Sequence, residues 1–388
     1  MLLLPALIVL AVLFAGCQSK EEQRDSLMEN AKKLEASADC AKAREEARKA
    51  LEIDPNCAAA YLLLGRCDMK EEKWADALHN FGRAHSLAPT DFDALRNLSR
   101  LSLMTEDVAK AEEYASKALA LRPDSVEVKV TKANLLMRKK DILPATQLLE
   151  EAVKLEPANE EAVVGLASAY LNTNKAEHAK ALLKYALEKK PDSSAMLTLL
   201  LNLAFREQDY ASAQQYLTKL QTLHPDDEHL VIQMADLLSL LNKGKDAPAY
   251  LADYLTKYPK ADTVRMRMAE LSLTDGKVDA ALAELDKAPE ATPALRLAKA
   301  TILVRSGRTN EGIAALRSLS TDAKAGESAN TALLGLAEVY LDQEQPDAAI
   351  KALTDLIARS PDNLNAYILR GQTYYFQKRY AEAVADLS

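Results

Sequence analysis

Proline recurs along this chain at a fixed interval of 34 residues. Nine prolines obey the interval, and only Glu327 interrupts it. These grid positions are Pro55, Pro89, Pro123, Pro157, Pro191, Pro225, Pro259, Pro293 and Pro361. A constant period of this length is typical of stacked helical repeats, in which each repeat packs mainly against its neighbours. The period therefore predicts a repeat array instead of one compact domain.

A second position with the same period is always alanine. Twenty-two residues after each point of the grid the chain reads Ala43, Ala77, Ala111, Ala145, Ala179, Ala213, Ala247, Ala281, Ala315, Ala349 and Ala383. Small side chains at equivalent positions allow neighbouring helices to approach closely, at the packing density of protein interiors. The pattern indicates a close helix contact that recurs in every repeat.

The composition favours helices and argues against one class of partner. Hydrophobic residues make up 48% of the chain and aromatic residues only 5%, and the helix-forming residues Ala, Leu, Glu, Lys and Arg dominate nearly every segment. We therefore expect an all-α fold. The net charge of -8 argues against nucleic-acid binding, because phosphate contacts need a basic surface.

The grid divides residues 24–388 into ten full repeats and a partial eleventh. Each repeat holds two apolar-periodic stretches separated by a polar turn, such as Ala58 to Met69 and then Trp74 to Leu87. The windows open at Arg24, Ala58, Phe92, Val126, Glu160, Ser194, Glu228, Asp262, Arg296, Asn330 and Leu364. Because proline cannot continue a helix, the grid proline is expected to follow the second helix of each repeat.

Two repeats are expected to depart from this pattern. Gly244 and Pro248 fall where a second helix should begin, so that helix should start late, capped by Asp246. In the repeat that opens at Arg296, the pattern fits better if the first helix begins early, at Pro293. The loop from Thr321 to Glu327 is then expected to accommodate this displacement before the next repeat.

The repeats resemble the tetratricopeptide repeat family over residues 24–388. The best matches to its pattern are Tyr61, Leu62, Gly65, Trp74, Ala77, Phe81, Ala84 and Pro89, and later Tyr367, Gly371, Tyr374, Tyr380 and Ala383. The resemblance implies a right-handed α-solenoid of about eleven 34-residue helix-turn-helix repeats. It also implies a concave groove on the first helices, in which peptides or partner helices lie.

The position eleven residues after each grid point is implied to face that groove, and its charge changes along the chain. It passes from basic through neutral to acidic, with Val304 as an apolar exception. The candidate groove residues are Lys32, Arg66, Arg100, Asn134, Ser168, Asn202, Asp236, Glu270, Glu338 and Gln372. One hypothesis is a groove that orients an extended protein or peptide partner. The alternative is an ordinary solvated helix face whose grading is accidental.

The first residues have the features of an export signal. Leu2 to Phe14 is a run of thirteen residues without a charge, which is shorter than the roughly 20 apolar residues that span a bilayer. Ala15-Gly16-Cys17 follows directly and resembles the lipobox of bacterial lipoproteins. The resemblance implies a signal peptide over residues 1–16, lipidation at Cys17, a tether over 17–23, and an anchor in the outer membrane facing the periplasm. An uncleaved anchor and ordinary secretion are the alternatives.

The rest of the chain gives little sign of catalysis. Glycine-rich nucleotide loops, zinc-protease motifs and nucleophile elbows are absent from the sequence, so we expect no enzyme activity and no cofactor. The loop from His224 to His229 is interpreted as a cap for the next helix instead of a metal site. Cys40 and Cys67 are expected to lie close together, either as buried thiols or as a disulfide.

Many such repeats behind a lipobox are similar to lipoproteins that serve exopolysaccharide export, exosortase (PEP-CTERM) systems, pilus biogenesis or outer-membrane assembly. The resemblance implies a lipid-anchored scaffold that binds a partner protein or peptide. The sequence stops 25 residues into a repeat, at Ser388. We therefore expect the array to be C-terminally truncated. The alternative function is the recognition arm of an enzyme or transporter subunit whose active domain lies beyond residue 388.

Overall fold

The computed structural model describes residues 19–241 and 246–388. Within these residues the chain forms twenty-two helices and no strand. Consecutive helices pack in pairs joined by tight turns, as in the pair that is formed by residues 58–70 and 74–87. The all-α class and the helix-turn-helix repeats predicted from the sequence are confirmed.

The chain forms two compact units that divide between Leu203 and Ala204. The first unit holds α1 (Lys20–Ala36), α2 (Cys40–Ile53), α3 (Ala58–Lys70), α4 (Trp74–Leu87), α5 (Phe92–Met104), α6 (Val108–Leu121), α7 (Val126–Arg138), α8 (Ile142–Leu155), α9 (Glu160–Asn172), α10 (Ala176–Lys189) and most of α11 (Ser194–Arg206).

The second unit contains the remaining repeats. Its helices are α12 (Tyr210–Leu223), α13 (Glu228–Leu240), α14 (Asp246–Lys257), α15 (Asp262–Thr274), α16 (Val278–Asp286), α17 (Pro293–Arg305), α18 (Thr309–Ser320), α19 (Glu327–Asp342), α20 (Pro346–Arg359), α21 (Leu364–Phe376) and α22 (Tyr380–Leu387). The start of α14 was predicted to be late. The preceding residues 242–245 lie outside the described residues.

The first helix begins earlier than the repeat pattern predicts. The repeat opens at Arg24, but α1 begins at Lys20, so residues 20–23 of the segment that was predicted as a tether are helical. The cause is a capping box. The backbone N–H of Glu22 donates to Ser19 Oγ at 3.1 Å, and the N–H of Ser19 donates to Glu22 Oε2 at 2.8 Å. Cys17 and the preceding leader lie outside the described residues.

A left-handed residue ends the first helix of nearly every repeat. These residues are Ala38, Glu72, Glu106, Lys140, Asn174, Gln208, Gly276, Gly307, Glu344 and Lys378, and all have positive φ. In the α3–α4 turn the N–H of Lys73 donates to the carbonyl of Asp68 at 2.9 Å, and that of Glu72 donates to Met69 at 3.2 Å. This is the Schellman arrangement, which satisfies the last carbonyls of the helix.

The alanine positions are buried, with one exception. Ten of them are at most 4% exposed, but Ala315 is only half-buried. The reason is a shift in register. As predicted, α17 begins at Pro293, capped by Thr292, which is three residues before the window at Arg296. The whole α17–α18 pair shifts with it, and Gly312 therefore occupies the buried position that alanine holds elsewhere. The match of Ala315 to the period is a coincidence.

Candidate partner-binding groove

The ten candidate groove residues all lie on the first helices of their pairs. Lys32, Arg100, Asn134, Asn202, Glu270, Glu338 and Gln372 are exposed, whereas Arg66, Ser168 and Asp236 are half-buried. This distribution places a polar surface on the first helices of each unit, where side chains are available to a partner.

Arg66 is already engaged within the repeat array. Its Nε and Nη2 donate to the two carboxylate oxygens of Glu35 on α1, at 2.6 and 2.7 Å. This two-point pairing raises the pKa of the Arg66 guanidinium. The basic candidate groove residues are therefore less available to a partner than the sequence indicates, because the second of them is neutralised by the preceding repeat.

Arg100 is less tightly held. Its guanidinium lies 3.9 Å from Glu127 on α7, and Arg96 approaches the same carboxylate at 3.4 Å. Arg100 lines a cleft of about 740 Å³ in the first unit, together with Glu127, Glu156, Asn159, Glu160, Glu161, Val164 and Ala195. Six of these eight lining residues are charged or polar. The cleft is therefore suited to charged or hydrogen-bonding groups of a partner.

Glu160, which lines this cleft, is held by two side chains. It pairs with Lys190 and accepts a hydrogen bond from Ser193 Oγ at 2.8 Å. The hydrogen bond from Lys190 is the main reason that the pKa of Glu160 is lowered. The Glu160 carboxylate therefore remains ionised at neutral pH and contributes a fixed negative charge to the cleft.

The acidic candidate groove residues are also partly neutralised. In the second unit Arg267 on α15 donates from Nε to Asp236 Oδ1 at 2.8 Å and from Nη1 to Glu270 Oε2 at 2.9 Å. One arginine therefore bridges two of the predicted groove carboxylates. Sequence reasoning missed this residue. The available signal was a spacing of 31 residues between opposite charges, which Arg66 shares with Glu35 and Arg267 with Asp236.

The groove position on α17 also differs from the sequence alignment. Because α17 is shifted by three residues, Thr301 is the structural equivalent of Glu270, and Val304 is not. Val304 instead faces Gly312 of α18. The register shift thus explains why Val304 is an apolar exception among the candidate groove positions.

Residues singled out for other chemistry have structural roles. Asp227 caps α13 by accepting from the N–H groups of His229 and Leu230, as predicted. In the described segments, 19–241 and 246–388, no group of three or more His, Cys, Asp or Glu side chains could hold a metal ion. Cys40, Cys57 and Cys67 are free thiols. Burial is the main cause that raises the pKa of Cys67 to about 12.

Family models support this interpretation of the repeats. A tetratricopeptide repeat model matches residues 68–135 and 136–203, and a second one matches residues 334–388. The matched segments cover helix pairs with the 34-residue period in both units. The chain is a tetratricopeptide repeat protein. Proteins built from stacked repeats offer extended surfaces for binding other proteins.

Several solved structures are similar to this tetratricopeptide repeat protein. Pseudomonas aeruginosa PilF is 19% identical with a TM-score of 0.48, and the match covers 55% of this chain and 97% of that one. PilW, a type IV pilus biogenesis factor, is 20% identical with a TM-score of 0.49, covering 53% and 96%. MamA is 22% identical with a TM-score of 0.39, covering 44% and 93%. A search of curated protein sequences found no match.

Across residues 19–241 and 246–388, no helix combines the length and apolar character needed to cross a bilayer.

Proposed function

We propose that this tetratricopeptide repeat protein is a non-catalytic, lipid-anchored scaffold of the bacterial cell envelope. It binds a partner protein or peptide along the surface that the first helices of the pairs form, here called the first-helix face. It serves in assembly of an export, exopolysaccharide or pilus system. The observation that carries the binding role is the recurrence of exposed polar side chains on the first helices of successive pairs. The lipobox-like Ala15-Gly16-Cys17 supports the anchor.

The anchor is tested by lipid labelling of the full chain in a bacterial host. Wild-type protein should incorporate radioactive palmitate, and Cys17→Ala should not. Three acyl chains on one cysteine give stable anchoring, whereas one chain would be marginal. The labelled protein should therefore fractionate with the outer membrane. An unlabelled wild type would overturn lipidation while leaving the binding proposal intact.

The groove is tested by charge reversal at Arg100, which is 48% exposed and only loosely paired. Arg100→Glu should reduce capture of the native partner from envelope extract at least fivefold, since it places a negative charge beside Glu127. The matched control is Arg48→Glu, which makes the same change in net charge on the exposed face of α2. Equal capture by the wild type and both variants would contradict a role for the first-helix face.

Arg66 needs a different design because it is paired. Arg66→Glu alone would place two carboxylates together and weaken the α1–α3 contact. The double variant Glu35→Arg/Arg66→Glu keeps the ion pair while exchanging its charges. A loss of capture by this folded double variant would show that the partner recognises the positive charge of Arg66. Unchanged capture would restrict Arg66 to a structural role.

A further inference from the structure

An open cavity lies in the repeat around α16 and α17. It measures about 690 Å³ and lies within the second unit. Nine of its fourteen lining residues are apolar, namely Met266, Ala269, Leu273, Val278, Leu285, Ala294, Leu297, Ala298 and Ile302. The size is within the range of ligand-binding sites, roughly 300–1,000 Å³. The mainly apolar lining of this cavity contrasts with the charged and polar residues that line the cleft of the first unit.

The cavity arises from a proline that shortens α16. Pro289 falls where the last turns of a second helix would run, and α16 ends at Asp286 after nine residues, against fourteen in α4. The chain then enters α17 three residues early. The missing turns of α16 no longer cover α15 and α17, and Met266, Leu273 and Leu297 remain half-buried.

The cavity opens on the face that carries the groove residues. Glu270 and its structural equivalent Thr301 both line it, so it is continuous with the proposed binding surface. Its rim carries two charges of different availability. Glu270 is paired with Arg267, whereas Arg305 at the end of α17 is exposed and forms no ion pair with any described carboxylate. The rim therefore presents an unpaired cation next to an apolar floor.

We propose that this cavity is a docking site for a peptide segment of a partner protein that carries large apolar side chains next to a carboxylate. The apolar side chains would fill the floor between α15 and α17, and the carboxylate would pair with Arg305. This inference rests on the proposed scaffold function and specifies the chemistry of one part of the partner. Binding of a partner segment by its apolar anchors follows the general mode of groove recognition.

The probe is a fluorescein-labelled amphipathic peptide with leucines at i, i+3, i+4 and i+7 and glutamates beside them. Fluorescence anisotropy with the full chain should show saturable binding. A peptide with serines in place of the leucines should bind at least tenfold more weakly, and so should one with lysines in place of the glutamates. Absence of binding by the leucine–glutamate peptide, or equal binding by all three, would overturn the proposal.

Substitutions in the protein locate the site. Ala294 is exposed at the rim, so Ala294→Trp should fill the cavity without disturbing the core and weaken binding at least tenfold. Ala195→Trp is the matched control because Ala195 is exposed and occupies the equivalent position on α11, where it lines the polar cleft. Far-ultraviolet circular dichroism should be the same for both variants. Equal affinity of both variants would overturn the assignment.

A reciprocal exchange tests the charge. Arg305→Glu should lose affinity for the glutamate peptide and gain it for the lysine peptide, each at least fivefold. A lack of any reciprocal gain would overturn the role of Arg305. Arg48→Glu, which makes the same charge change on the exposed face of α2 and outside the first helices that carry the groove residues, should leave peptide affinity within twofold of the wild type. A failure of peptide binding with intact capture of the native partner therefore rejects the cavity without rejecting the scaffold.

Discussion

Gly312 on α18 lies directly against Val304 on α17. A Cβ atom added to Gly312 would lie 2.5 Å from Val304 Cγ2 and 3.0 Å from the Val304 backbone nitrogen. Valine has little freedom about χ1 in a helix, so it cannot move aside. The position that is alanine in the regular repeats therefore requires glycine in this shifted pair.

Gly312→Ala should destabilise the second unit despite the better helix propensity of alanine. Overpacking of this kind costs roughly 1–3 kcal/mol. The control is Gly82→Ala on α4, where nothing lies within 4 Å of the added atom. That substitution should stabilise the protein by about 0.5–1 kcal/mol. Urea denaturation followed by circular dichroism measures both changes, and the same sign for both would contradict the packing argument.

The turn residues provide a second test. Lys140 has a φ of 66°, a region that costs roughly 1–2 kcal/mol for residues with a side chain. Lys140→Gly should therefore raise the stability by about 0.5–1 kcal/mol, after the backbone entropy of glycine is subtracted. Gly276 has a φ of 73° and occupies the equivalent turn, so Gly276→Ala should lower the stability. Thermal melts of the two variants should move in opposite directions.

Sequence periodicity predicts the helix pairs and the burial of ten of the eleven alanines, because these are set by residues that recur with the repeat. The early start of α17 was predicted from the misfit of its repeat to the period. Periodicity could not predict that Ala315 leaves its position and Gly312 replaces it. That exchange depends on where α16 ends, and Pro289 becomes informative only once its effect on the next helix is known. The alanine at 315 fits the period without sharing the environment.

The helices that carry the candidate groove residues were predictable, but the ion pairs that these residues form were not. The candidate residues lie on the first helices, as the resemblance implies. Whether their charges are available to a partner protein depends on ion pairs with neighbouring repeats, such as that of Arg66 with Glu35 and that of Asp236 with Arg267. The left-handed turn residues gave almost no signal, because glutamate, lysine and glutamine hold positions where glycine is usual.

His85 on α4 should make stability depend on pH. Burial is the main cause that lowers the pKa of His85 below its ordinary value of 6.5, and Lys117 adds to the effect. The folded state therefore favours the neutral ring, and the unfolded state binds more protons as the pH falls. Stability should be full above about pH 6.5 and decrease as the pH falls through the folded pKa.

His85→Gln should remove part of this acid sensitivity, measured as the difference in urea midpoint between pH 7.5 and 5.5. The control is His79→Gln, because His79 lies on the same helix with its side chain exposed. A wild type whose His85 ring titrates at or above its ordinary pKa by NMR would contradict the prediction.

Thiol reactivity should separate the described cysteines. Cys67 is fully buried and has a pKa of about 12, so little thiolate forms at pH 8. Cys57 is half-buried in the loop before α3. Iodoacetamide at pH 8 should therefore modify Cys57 first, and Cys67 only after denaturation. Peptide mass spectrometry of non-reduced protein would contradict the prediction if it found Cys40 and Cys67 linked or Cys67 labelled first.

Arg265 and Glu284 form a buried ion pair between α15 and α16, with their side chains 4% and 7% exposed. Arg265 Nη1 donates to Glu284 Oε1 at 2.9 Å, and Nη2 donates to the carbonyl of Pro259 at 3.0 Å. Glu284→Ala should cost about 3–5 kcal/mol because it leaves the arginine charge buried without a partner.

The double variant Arg265→Met/Glu284→Met should lose far less than the sum of the single variants, since an apolar pair of similar volume avoids the cost of desolvating two charges. A double-mutant cycle on urea denaturation gives the coupling between the two residues directly. Strictly additive losses would show that the two charges do not stabilise each other. The pair would then be ruled out as the interaction that holds the shortened α16 against α15.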